Sequence, residues 1–181
     1  MNLPNRLTLA RIFLIPIFLA VVTLRIKYGD LIAAGVFILA ASTDGLDGYI
    51  ARKNKQITTL GKFMDPLADK LLVSAALIVL VELGHLSAWV AVIIIGREFA
   101  VTGLRAIAAA EGVIISASKL GKWKTVSQII AIVAMFLHNI TLTIFGFDFG
   151  MAAMAVAVFF TLWSGIDYLA KGWHLLKKGD Y

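Results

Sequence analysis

Four aspartates carry the first chemical signal in this chain: Asp44 and Asp47, three residues apart, and Asp65 and Asp69, four apart. Either spacing places both carboxylates on one face of a helix. Four neighbouring carboxylates cannot all stay ionised without compensating charge. Hard divalent cations supply it, and an all-oxygen donor set selects magnesium, calcium or manganese over zinc. Two carboxylate pairs fit two ions, the arrangement that clamps the attacking and leaving oxygens of a phosphoryl displacement. Gly48 and Ala51 present almost no side chain beside the acids, and Arg52 offers a planar fork to a phosphate. The plainer alternative is a set of helix-end salt bridges to Arg52, Lys55, Lys62 and Lys70. The cost of carboxylates in apolar segments weighs against spending four of them that way.

A second group is cationic. Arg97 and Arg105 interrupt an otherwise apolar stretch, eight residues apart, hence about 80° around a helix. Lys122 and Lys124 follow in Gly121-Lys122-Trp123-Lys124-Thr125. Cations converging on one cavity suit a substrate that carries a phosphate and would repel choline or ethanolamine. Singly, each has a blander reading. Lys122 and Lys124 could anchor to headgroups, Arg97 could neutralise Glu98, and Arg105 could snorkel to the surface.

The elements that must position these groups are membrane helices. Of 181 residues, 60% are hydrophobic and 15% charged, with a mean hydropathy of +0.90. That is too apolar for a soluble domain, which carries about 25% charged residues, and it excludes disorder. The reading is an all-α polytopic membrane protein with six spans, at about 7–24, 31–50, 66–83, 86–109, 120–145 and 149–169, each near the length a bilayer requires. Residues 1–6 are expected along the interface ahead of the first span, and no signal-peptide cleavage is expected. Residues 53–61 are polar and turn-like, folding the second and third spans into a hairpin that aims both acidic pairs at one cavity. Residues 1–181 read as one domain.

Of 17 Lys and Arg, only Arg25 and Lys27 fall on the side opposite the termini. The positive-inside rule then places both termini and the acidic site at the cytoplasmic face, here of a cell (inner) membrane. With this hydropathy, the net charge of +6 points to lipid headgroups and not to nucleic acid. There are no cysteines. The histidines His85, His138 and His174 lack a second ligand at metal-binding spacing. Trp89, Trp123, Trp163 and Trp173 fit interfacial belts or packing.

The run Asp44-Gly-Leu-Asp47-Gly48-Tyr-Ile-Ala51-Arg52, then Gly61, Asp65 and Asp69, resembles the CDP-alcohol phosphotransferase motif at all eight of its fixed positions. The resemblance implies six membrane helices, a homodimer and a magnesium- or manganese-dependent site with two ions. It implies a CDP-linked lipid donor that gives its phosphatidyl group to an alcohol and releases CMP. By the same matching, Asp44, Asp47, Asp65 and Asp69 are metal ligands, and Asp69 is also the general base. Asp44, Gly48, Ala51, Arg52, Gly61 and Asp65 are assigned to the CDP moiety.

Three further stretches are similar to the members that accept glycerol 3-phosphate: Asn2-Leu-Pro4-Asn5-Arg-Leu-Thr8 with Arg11, Arg97-Glu98-Phe99 with Thr102 and Arg105, and Gly-Lys-x-Lys-Thr at 121–125. That likeness assigns Arg97, Arg105 and Lys122 to the acceptor phosphate and makes CDP-diacylglycerol the donor. Inositol phosphate, or phosphatidylglycerol in a cardiolipin-forming enzyme, remain alternative acceptors. A cation channel or transporter with an acidic filter is the rival from another class, and the chain lacks the inverted repeats such proteins often show.

Overall fold

The computed structural model describes the backbone over residues 3–53, 59–112 and 119–176. The side chains of residues 3–4, 44–53, 59–60, 62–63, 119, 171 and 173–176 fall outside the described residues. Every described element is helical: α1 (Leu3–Thr23), α2 (Gly29–Lys53), α3 (Thr59–Glu82), α4 (Ala88–Ala110), α5 (Lys119–Phe136), α6 (His138–Phe145) and α7 (Phe149–Leu176).

The chain reverses through local chemistry at each turn. After α3, Gly84 adopts φ +74°. His85 N–H then donates to the Leu80 carbonyl and Gly84 N–H to that of Val81, the double bond of a Schellman cap. Gly146 closes α6 in the same left-handed region, its N–H donating to the Leu142 carbonyl.

α1 packs on α2 and α3, and α7 packs on α4 and α5. Phe18, Phe37, Leu77, Leu80, Ile94 and Ile132 fill the interior. Phe18 meets Phe136 edge-on at 5.5 Å between ring centroids, the orientation that the ring quadrupole favours. On the outside, Leu39, Val92, Phe159 and Ile166 are each more than half exposed. Apolar surface on this scale fits hydrocarbon surroundings, since soluble monomers rarely expose large contiguous apolar patches.

By length and composition, two helical stretches among the described residues suffice to cross a membrane, Asn5–Thr23 and Phe149–Ala170. A third is added if Leu120–Phe136 and His138–Phe145 form one broken span. The charges of the site keep α3 and α4 from that class: Asp65, Asp69 and Lys70 in α3, and Arg97, Glu98 and Arg105 in α4.

The expected single fifth span is in fact two helices that meet at 93° around Leu137. No proline or glycine stands at the break. Within α6 the Thr141 and Thr143 hydroxyls donate to the His138 and Asn139 carbonyls. His138 Nδ1 also lies 3.5 Å from Asp148 Oδ1, tying the start of α6 to the residue ahead of α7. Two boundaries differ as well. α1 is already helical at Leu3, because proline is tolerated in a first turn. α3 starts at Thr59 and includes Pro66, so Asp65 and Asp69 stand in its second and third turns and not at its first.

Candidate functional site

Asp44, Asp47, Gly48, Ala51 and Arg52 occupy the last turns of α2; their side chains lie outside the described residues. Across the hairpin, Gly61 is buried in the first turn of α3, and Asp65 and Asp69 are half-buried one turn apart. The Thr8 hydroxyl of α1 donates to Asp65 Oδ1 at 2.5 Å. Arg11, one turn further along α1, is completely buried. Its Nε donates to the Thr43 hydroxyl at 3.1 Å, and Thr43 in turn donates to the Ala40 carbonyl at 2.7 Å. Asn5, Thr8 and Arg11, three residues apart and all buried, thus form a polar stripe on an otherwise apolar helix. Thr8 touches an acid of the motif, and Arg11 grips the residue immediately before Asp44.

Beside this hairpin lies a cavity of about 580 Å³, bordered by α3, α4, α5 and α7. Asp69 faces it from α3, Arg97 and Arg105 from α4, and Lys122 from α5. Four residues spread over 54 positions therefore converge, as the sequence required of a site for a phosphorylated substrate. The start of α3, the second half of α4, the start of α5 and the second half of α7 share this end of the bundle. At the other end, Tyr28, Asp30, Leu137 and Asn139 border a smaller cavity of about 280 Å³.

The cations differ in how they are held. Arg105 and Lys122 are exposed to the cavity side, and no ion pair engages either among the described residues. Arg97 is nearly buried. Its Nη1 donates to Glu98 Oε1 at 3.2 Å, its Nη2 to the Ser164 hydroxyl at 2.8 Å, and its guanidinium stands 5.7 Å from the Tyr168 ring centroid. Arg97 does neutralise Glu98, and it reaches the cavity as well. Lys124 corrects an expectation. It is buried and ion-paired with Glu98, so it cannot anchor to a headgroup. From the sequence, Glu98 stood only as a charge that Arg97 could neutralise, and Ser164 carried no signal. The one signal for Glu98 is a carboxylate in an apolar helix, which must find a partner.

The described donors suit a hard cation: Asp65 and Asp69 offer carboxylate oxygens one helical turn apart. Thr8 occupies one oxygen of Asp65 and holds the carboxylate in a single orientation. Among the described residues no group of three or more His, Cys, Asp or Glu could hold a metal, because Asp44 and Asp47, the expected partners, fall outside them. His85 and His138 lie 6.0 Å apart between ring centroids at the far end.

The family model described as CDP-alcohol phosphatidyltransferase matches residues 1–163. The chain is 50% identical to the Bacillus subtilis (strain 168) CDP-diacylglycerol--glycerol-3-phosphate 3-phosphatidyltransferase, with 99% of each chain covered. It is 40% identical to the Pseudomonas fluorescens protein of that name over 98% of this chain and 93% of the relative. The Haemophilus influenzae protein, also of that name, is 40% identical over 94% of each.

Proposed function

From the premise that the chain belongs to the CDP-alcohol phosphatidyltransferase family, we propose that it moves the phosphatidyl group of CDP-diacylglycerol onto glycerol 3-phosphate. The products are phosphatidylglycerophosphate and CMP. One observation carries this reading: Asp69 shares a single cavity with Arg97, Arg105 and Lys122. That cavity offers a base for a hydroxyl and a cluster of cations for a phosphate on the same small molecule.

The chemistry follows from the placement. Arg97, Arg105 and Lys122 bind the phosphate of glycerol 3-phosphate, two as guanidinium forks and one as a point charge. The bound acceptor then presents its terminal hydroxyl toward Asp69. Asp69 takes the hydroxyl proton, and the oxygen attacks the phosphorus that bears diacylglycerol. The bond from that phosphorus to the oxygen bridging to CMP breaks, and CMP leaves with the electron pair. Asp44, Gly48, Ala51, Arg52, Gly61 and Asp65 cradle the CDP moiety. Asp44, Asp47, Asp65 and Asp69 would hold two magnesium or manganese ions, whose charge when bound would offset that of the pyrophosphate. Positioning and electrostatics account for the rate in such transfers.

The surrounding architecture belongs to the same proposal. Residues 1–181 form one domain that crosses the cell membrane six times, with α5 and α6 as one broken crossing and both termini cytoplasmic. The distribution of Lys and Arg supports that orientation, and so does the gathering of the site at one end of the bundle. The protein works as a homodimer. Purified protein with CDP-diacylglycerol, magnesium and a panel of alcohols tests the activity. Release of CMP should depend on glycerol 3-phosphate; preference for inositol phosphate or phosphatidylglycerol would overturn the acceptor assignment.

A further inference from the structure

Resting on the acceptor pocket just described, we propose that Glu98 and Ser164 are positioning residues that fix Arg97 for the acceptor phosphate, with Lys124 as the buried counter-ion of Glu98. The basis is a chain of polar contacts inside an apolar bundle. Lys124 of α5 and Arg97 of α4 both pair with Glu98 Oε1. Arg97 Nη2 donates to the Ser164 hydroxyl of α7, which donates to the Thr161 carbonyl at 3.2 Å. The Thr161 hydroxyl accepts from Gln128 Nε2 at 2.9 Å. Gln128 lies one turn beyond Lys124 on α5.

Lys124, Gln128, Thr161 and Ser164 are all at least nine-tenths buried. Buried polar groups on three separate helices stay only where each finds its partner. These contacts tie α4, α5 and α7 together around the cavity. Arg97 is the member that is incompletely used. Its terminal nitrogens spend one N–H each on Glu98 and Ser164, and its buried Nε has no partner. The stem runs against Gly165, where a Cβ would come within 3.1 Å of Arg97 Cγ, so glycine admits the guanidinium to the seam between α4 and α7. An arginine held by two fixed partners, with N–H groups to spare at a cavity wall, is pre-organised for an anion. Pre-organisation lowers the ordering cost of binding.

Two variants separate positioning from general support of the fold. Glu98→Gln keeps volume and removes charge; Ser164→Ala removes only a hydroxyl and remains informative should the first fail to fold. Both are assayed as intact purified protein after a check of elution profile and Tm. The KM for glycerol 3-phosphate should rise about tenfold in Glu98→Gln and about threefold in Ser164→Ala, the range spanned by net hydrogen bonds of charged and neutral groups. The kcat and the KM for CDP-diacylglycerol should stay within about twofold, and inhibition by inorganic phosphate should weaken in parallel with the acceptor KM. Arg97→Ala serves as the reference. If it raises the acceptor KM while neither variant does, or if the variants lower kcat and shift both KM values alike, the positioning role is wrong and the pocket stands. If Arg97→Ala itself leaves the acceptor KM unchanged, the pocket falls and this inference with it.

Discussion

Replacing Arg105 by alanine isolates the contribution of one cation to acceptor binding. Arg105 lines the cavity, is exposed and pairs with nothing among the described residues. Its removal therefore leaves no buried group unsatisfied, and the whole effect is the lost contact with ligand. A hydrogen bond to a charged group contributes about 1.5–3 kcal/mol. Exposure and screening put Arg105 at the low end, and about 1.4 kcal/mol is a factor of ten. The expected result is a roughly tenfold higher KM for glycerol 3-phosphate, with the KM for CDP-diacylglycerol changed less than about twofold. Arg97→Ala should cost more, toward a hundredfold, because Arg97 is nearly buried and its loss strips Glu98 of one partner. The assay is CMP release with one substrate varied and the other saturating. Equal shifts in both KM values, or none in either, would refute an acceptor role for Arg105 and leave it as a headgroup anchor.

Other perturbations test the remaining parts of the site. Asp65→Asn, or chelation of the wild type, should abolish turnover, and titration with Mn2+ should show weakened metal binding in a variant that still elutes as folded protein. Asp69→Asn should lose at least the roughly 10²–10⁴-fold typical of a general base while equilibrium binding of CDP-diacylglycerol survives; loss of both would point to metal ligation as its main task. Thr8→Val removes the hydrogen bond that orients Asp65 and should raise the Mn2+ concentration for half-maximal binding by about 2- to 10-fold, with Thr8→Ser restoring it. Gly172→Ala would drive a Cβ into the Leu104 side chain where α7 crosses α4. Overpacking of that kind costs about 1–3 kcal/mol, read as a lower Tm in detergent.

The parts legible in the sequence are those whose signal is local. The acids repeat at helical spacing along α2 and α3, and Asp65 and Asp69 do stand a turn apart in α3; the side chains of Asp44 and Asp47 and residues 54–58 lie outside the described residues. Arg97 and Arg105 stood out because a charge in an apolar segment is costly, Lys122 through its Gly-Lys-x-Lys-Thr stretch, and all three line the cavity. What stayed hidden depends on pairing between distant residues. Nothing near Lys124 announces Glu98, 26 positions earlier, and nothing near Ser164 announces Arg97. A lysine at the mouth of a helix looks the same whether it meets a lipid or a buried carboxylate. The break at Leu137 escaped for a different reason. Neither proline nor glycine marks it, and the mostly apolar run of residues 129–145 continues across it, so hydropathy registers no break.

The division between local and distant signals matches a division of chemical labour. The acids proposed for metal and donor binding lie within 26 residues on one hairpin, braced by Thr8 and Arg11 of α1. The cations proposed for the acceptor come from α4 and α5, and α7 contacts Arg97 through Ser164, Gly165 and Tyr168. Among the described residues Asp69 belongs to both groups: it ends the motif and faces the cavity. A residue that must serve metal, proton and acceptor together has to be approached from both halves, and the packing provides this by seating α3 against α1, α4 and α5. Changes on α4 or α7 should therefore alter which acceptor is used, or how tightly, without disturbing the donor. Changes on α1 should disturb the acids first and the acceptor only through them. The KM splits measured for Arg105 and Ser164 variants, set against the metal dependence of Thr8 variants, put that separation to direct test.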